Sequence, residues 1–495
     1  MRLLLTRSDV DPDKPNNDGQ TPLWCASYKG HEGVMRLLLA RSDVNPNKPN
    51  NANLTPLHCA SVHGHEGIVK LLLAQDNVNP NMPTSCGRMP LSLASRGGHE
   101  GVVRLLLARH DINPNKPNND GRTPLWWASY NGHERVVRLL LARHDVNPDK
   151  PSKNGETPLW WASVFGHEGV VRLLLAQNDL NPDKQDNRGY TPLWWASRKG
   201  HEGAVRLLLS RGDVNPNKPA NRGHTPLWLA SGDGYEEVAR LLLARDDVNP
   251  NLPNNDGETP LWRASYKGCE RVVRLLLARD DVNPNLPNND GETPLWRASH
   301  KGYEGVVRLL LARSDVNPDK PDNDGETPLW RASYKGHEGV VRLLLARSDV
   351  NPNRPDNDGD TPLDIASSKG HKGVVKLLLS RGATNPDQPD NNGPTPLPSA
   401  SSCGHEEVAR PPVAQDDVAP DEPDNDDLTS LQRAPSNGHE GEVTPPVAPD
   451  AVDPDEPDDH NQIPPKISSM RRYRRKIAEY IPRLWGKKKK GKERR

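Results

Sequence analysis

The sequence predicts an all-α solenoid of helix-turn-helix repeats with extended finger loops, followed by an acidic linker and a basic C-terminal helix and tail. Three observations lead there. Thr-Pro-Leu begins at Thr21, Thr55, Thr123, Thr157, Thr191, Thr225, Thr259, Thr293, Thr327 and Thr361, and Met89-Pro90-Leu91 fills the one gap, so a motif recurs every 34 residues through eleven units. Leu-Leu-Leu triplets recur in step with it. The 495 residues are 33% hydrophobic and 4% aromatic, with 50 Pro and a single Phe, too lean for one large core but adequate when apolar residues are gathered in short blocks.

Residues 1–20 align with the later half of a unit, because Met1-Arg2-Leu3-Leu4-Leu5 matches Met35-Arg36-Leu37-Leu38-Leu39. They are expected to be a partial first repeat, a second helix and finger, either frayed or continuous with upstream sequence. Residues 21–394 are the eleven full units. Thr327 suits an N-cap, and Pro328 stands at a first helical position, where a missing N–H costs nothing. Leu329, Ala332 and Ser333 share a face of this short helix, and Gly336 supplies the backbone that ends it. His337-Glu338 then leads into a more apolar helix, with Val340, Leu343 and Leu344 as its stripe. The finger from Asp349 to Gly359 carries two prolines and an Asp-Gly turn, which predicts a stiff extended loop with a tight tip instead of a regular hairpin. One such unit cannot cover its own apolar face. Neighbours must stack.

These residues resemble the ankyrin repeat over about 1 to 404: Thr-Pro-Leu-x-x-Ala-Ser, Gly-His-Glu, Val-Val-x-Leu-Leu-Leu, Asp-Val-Asn and an Asn-Asp-Gly turn, recurring in register. Trp replaces the family's usual His after Thr-Pro-Leu at Trp24, Trp126, Trp160, Trp194, Trp228, Trp262, Trp296 and Trp330. The Gly usual after the second helix survives only as Gly212 and Gly382. The resemblance implies a concave surface that contacts partners through the residue before Thr-Pro-Leu and the two after Ala-Ser. Here those include Arg122, Tyr130 and Asn131; Glu156, Val164 and Phe165; Glu258, Tyr266 and Lys267; Glu292, His300 and Lys301; Glu326, Tyr334 and Lys335. The expected work is non-enzymatic protein binding, as a scaffold or a sensing array. The Trp series reads as packing between units, ahead of an aromatic ladder for bases or sugars. The next position drifts from apolar to basic, reaching Arg263, Arg297 and Arg331 before a final Ile365, and packing is again the leading reading.

Residues 395–407 begin a degenerate unit. Pro411-Pro412-Val413 then stands where Leu377-Leu378-Leu379 stood one unit earlier. Proline inside a helix costs about 3 kcal/mol, and each lost buried Leu removes about 1.5–3 kcal/mol more. Residues 408–465 are therefore expected to form an acidic, Pro-rich disordered linker; 415–460 hold 15 Asp or Glu against one Arg, a net −14. Residues 466–495 carry a net +12. Ile467, Met470, Tyr473, Ile477, Ile481 and Leu484 recur at helical spacing among Arg471, Arg472, Arg474, Arg475 and Lys476, and Lys487, Lys488, Lys489 and Lys490 follow. This tail suits a nuclear-import signal, an anionic-membrane contact, a nucleic-acid arm or a counter-charge to the linker. A nuclear or chromatin factor, or a peripheral membrane scaffold, is the rival function it raises.

The formal charge of −1 leaves the repeats nearly neutral, which argues against a nucleic-acid surface there. No apolar run reaches the length of a membrane span, and five scattered cysteines show neither metal spacing nor a disulfide scaffold. An intracellular protein of cytoplasm or nucleus fits. Gly-His, mostly followed by Glu, recurs at His31, His65, His99, His133, His167, His201, His337, His371, His405 and His439, but without the second His of a zinc helix. Asp322-Asn323-Asp324-Gly325 lacks a calcium loop's closing Glu, with Arg331 in its place. No cofactor, metal, small-molecule substrate or catalytic group is expected.

Overall fold

The computed structural model describes residues 10–382. They form 22 helices in eleven pairs, from α1 (Pro22–Lys29) and α2 (Glu32–Leu39) to α21 (Pro362–Ser368) and α22 (Lys372–Ser380), with no strand among the described residues. The expectations for residues 1–9, the end of the last finger, the degenerate unit, the linker and the tail lie outside them.

The unit that begins at Thr259 shows how local chemistry sets each pair. Thr259 is extended (φ −81°, ψ 165°), and its hydroxyl accepts the Trp262 N–H at 3.1 Å, which starts α15 (Pro260–Lys267). Gly268 ends it in the left-handed region at φ 71°, where a side chain would be strained. The second helix, α16 (Glu270–Leu277), has no side-chain cap, but Glu270 places an anion in its first turn. Val272, Val273 and Leu276 form its buried stripe. At Met89 the cap hydroxyl is absent, and the helix Pro90–Gly97 still begins there from an extended residue and a proline. First helices pack on first helices of the next unit and second on second, so one core runs unbroken from Leu23 to Leu378.

The missing glycine after the second helix has a structural reason. Asp280 stands in that place, and among the described residues Asn53 is the only non-glycine with positive φ, so the chain leaves α16, closed by Ala278 at φ −75° and ψ −12°, without a left-handed step. The open end is held instead by an arginine. Arg279 grips Asp281 through Nε and Nη2 at 2.8 and 2.7 Å, and its Nη1 donates to the carbonyls of Leu243 and Arg245 in the preceding unit at 3.0 and 3.3 Å. The clamp recurs at Arg211, Arg245, Arg313 and Arg347. Arg279→Ala should lower stability by about 1 kcal/mol, the net worth of such bonds; urea unfolding of the full chain would read it, and Asp281→Ala, which leaves the carbonyl bonds in place, should cost less.

The fingers join without a strand ladder. Asn288 Oδ1 accepts the N–H groups of Asp290 and Glu292, and Gly291 at φ +84° closes the tip. Asn289 then donates its backbone N–H to the Asp256 carbonyl at 2.9 Å and its amide to the Asn255 carbonyl at 3.0 Å. Each finger thus hooks the one before it.

Candidate partner-binding face

The face is built on the tryptophans. The Trp262 indole is 1% exposed, and its Nε1–H donates to the Glu292 carbonyl of the next unit at 3.0 Å. Trp24, Trp160, Trp194, Trp296 and Trp330 make the same bond, 30 residues ahead. An indole both fills the space between units and bonds across it. In the unit beginning at Thr55 the family's usual His returns as His58, fully buried against the Thr55 hydroxyl at 2.8 Å, and burial pushes its imidazole down to about 4. The recurrent Gly-His histidines serve the same end. His65, His133 and His371 place Nε2 at 3.0–3.2 Å from the carbonyls of Tyr28, Arg96 and Tyr334, 37 residues back.

Two kinds of surface lie over this row. In the units beginning at Thr123, Thr157 and Thr191 a second tryptophan packs edge-on against the first, as Trp127 on Trp126 at 4.8 Å and Trp161 on Trp160 at 4.8 Å. Tyr130 lies against Trp126, Trp161 and Phe165, and Phe165 is 40% exposed. In the units beginning at Thr259, Thr293 and Thr327, Arg263, Arg297 and Arg331 take the second position. Each guanidinium lies over the tryptophan of the preceding unit: Arg263 on Trp228 at 4.5 Å, Arg297 on Trp262 at 5.3 Å and Arg331 on Trp296 at 5.1 Å. A planar cation thus replaces an indole while keeping the stack.

Each of these arginines faces a glutamate at the finger base. Arg297 reaches Glu292 at 3.2 Å and Arg331 reaches Glu326 at 2.8 Å, while Asn254 and Asn288 donate amides to Glu258 and Glu292 at 2.9 Å. Burial raises all three carboxyls; Glu326, with Asp322, Asp324 and Asp356 adding to the effect against Arg331, is pushed up to about 7. Between finger and helix, Glu292, Glu326 and Arg331 line an open cleft of about 410 Å³ with Asp290 and Asp324.

The expected contact residues fall into two groups. Arg122 is 7% exposed, its guanidinium over Trp126 at 4.7 Å, and Glu292 is 9% exposed; Glu258 and Glu326 are half-buried. Asn131 turns its amide back to the Trp127 carbonyl at 2.9 Å. Tyr266, His300 and Tyr334 stack on the tryptophan four residues earlier, at 5.5, 5.4 and 5.6 Å. His300 accepts from Arg331 Nε at 3.0 Å; burial and the arginines hold its imidazole down at about 3, so it is neutral. Outermost is a file of lysines: Lys267 and Lys301 both lie 5.0 Å from the Tyr266 ring, and Lys335 and Lys369 lie 5.4 and 4.9 Å from Tyr334. Sequence reasoning assigned neither Lys369 nor the three arginines to this face. The signal for the arginines was a Glu five residues before each. Among the described residues no cluster of three or more His, Cys, Asp or Glu could hold a metal, and no helix is long and apolar enough to cross a membrane.

The family model for ankyrin repeats in three copies matches residues 1–84, 76–152, 142–220, 210–288, 280–356, 316–389 and 348–411. Among solved structures, the ankyrin repeat domain of Bcl-3, a member of the IκB family, is similar at 29% identity, over 46% of this chain and 99% of that one, with a TM-score of 0.42. The ankyrin repeat protein EF0377 is similar at 26% identity, over 38% of this chain and 96% of that one, with a TM-score of 0.36. No curated protein sequence matches.

Proposed function

Because the chain belongs to the ankyrin-repeat family, whose repeats generally mediate protein–protein interaction, we propose that it is a non-enzymatic binding array that grips a partner protein on the face of first helices and finger bases. The observation that carries this reading is the repetition of one set of groups at one register. The units beginning at Thr259, Thr293 and Thr327 each set an aromatic ring on a buried tryptophan, fix an arginine beside it, and extend a lysine outward. Rigid aromatic anchors with charged neighbours suit protein recognition. Contact with nucleic acid or an anionic membrane is confined, in this reading, to the basic tail at 466–495, with its net +12.

Affinity capture with the full chain tests it. The combined variant Lys267→Glu, Lys301→Glu and Lys335→Glu should lose the captured partners by tenfold or more, while Lys376→Glu on α22 keeps them. Equal capture by all three proteins would overturn the reading.

A further inference from the structure

At the start of each finger one register is always Asn or Asp, and its side chain spans to the next unit. At most of the Asn positions the amide bonds twice. Oδ1 of Asn47, Asn217, Asn251 and Asn285 accepts the backbone N–H 32 residues ahead at 2.8–2.9 Å. Nδ2 of each donates to the carbonyl 30 residues ahead at 2.6–2.7 Å. The two atoms stitch adjacent fingers together.

Asp149, Asp183 and Asp319 occupy the same register. Oδ2 accepts the N–H of Asn181, Asn215 and Asn351 at 2.6, 2.7 and 2.7 Å, as the amide oxygen does elsewhere. Oδ1 of each is shut off from water and has no hydrogen-bond partner. It stands where the amide nitrogen would donate. Asp13 repeats this arrangement at the first described finger, with Oδ2 on the Asn45 N–H at 2.7 Å. Nearby cations are committed elsewhere: Lys184, Lys218 and Arg354 donate to the backbone carbonyls of Asp149, Asp183 and Asp319 at 2.9, 3.1 and 3.0 Å. Arg211 and Arg245 grip Asp213 and Asp247. The other charges facing these sites are acidic: Asp179, Asp213 and Asp349. A carboxylate here would set a buried anion against a carbonyl oxygen, whereas a carboxylic acid has the O–H that the place requires.

We propose that Asp149, Asp183 and Asp319 hold a proton on Oδ1 in the folded array and donate it to the carbonyls of Asp179, Asp213 and Asp349, making three joints between units proton-dependent. The joints lie between the units that begin at Thr123, Thr157 and Thr191, and between those that begin at Thr293 and Thr327. Burial raises each carboxyl above its ordinary 3.8, against the opposing backbone N–H bond and the neighbouring Lys184, Lys218 or Arg354. A raised folded value means the contribution is fully present below the unfolded value and is lost as pH rises through the folded one. The joints loosen upward from the ordinary carboxylate range, the reverse of acid denaturation.

The test compares the full chain with the triple variant Asp149→Asn, Asp183→Asn and Asp319→Asn, which installs the residue other fingers already use. Denaturant unfolding at a series of pH values, with proton release measured by calorimetry in two buffers, gives the difference directly. The remaining titrating groups, Glu326 among them, are shared and cancel. Unfolding of the wild type should release up to one more proton per replaced aspartate than the variant. Its stability relative to the variant should fall up to tenfold per joint for each pH unit above the carboxylate range. Asn251→Asp should gain a proton-release step of its own. Equal proton release by wild type and triple variant, or no added release from Asn251→Asp, would overturn the proposal.

Discussion

Trp262→Ala should cost about 3–5 kcal/mol, the range for deleting a fully buried aromatic. Three losses coincide there. The indole leaves a cavity between the units that begin at Thr259 and Thr293, the Glu292 carbonyl loses its donor, and Tyr266 and Arg297 lose the ring on which both rest. Trp262→His should cost clearly less, because His58 fills the same register in another unit. Urea unfolding of the full chain followed by circular dichroism would rank the two. Equal losses would show that residual packing of a smaller ring contributes nothing.

Leu276→Pro should have the larger effect. Leu276 is completely buried near the end of α16. Proline there removes a backbone donor and crowds the preceding turn, about 3 kcal/mol, and the lost leucine adds about 2–5 kcal/mol. In a stack where each unit touches only its neighbours, such a loss does not spread evenly. The array should separate into two independently unfolding blocks on either side of the unit that begins at Thr259. Two resolved denaturation transitions, with limited proteolysis cutting inside that unit, are the expected result; one cooperative transition shifted to lower denaturant would contradict it.

Much of this architecture can be read along the chain because its determinants are close in sequence. Thr259 caps its helix through the N–H three residues on, Pro260 and Gly268 bracket it, and Val272, Val273 and Leu276 mark one face of the next. Trp262 as a spacer between units was also legible, since it replaces a residue that packs there in related repeats. The bonds that fix the units to one another were not. Arg279 finds its carbonyls 36 and 34 residues back, Trp262 its acceptor 30 ahead, and Asn289 its partner 34 back. Such pairings depend on the register of stacking, which one unit alone does not contain. The absent glycine after the second helix is a departure from the family pattern whose structural counterpart, an exit without a left-handed step beside the Arg279 clamp, appears only in the stack. Arg263, Arg297 and Arg331 read as packing or as charge; both descriptions hold, because a guanidinium is flat enough to stack and ionic enough to meet Glu292 and Glu326.

The constant offsets of those cross-unit bonds bear on how such a chain can change its length. Excising 293–326 would bring Glu292 directly before Thr327, and the recurrent bonds between units would find equivalent partners at the new seam, where Arg331 would exchange its His300 contact for the Tyr266 ring on which Arg297 now rests. Duplication of a block would be equally seamless. Gene-level recombination between copies can thus lengthen or shorten this protein without creating a misfit, so repeat number is free to vary as a heritable trait while each join stays the same.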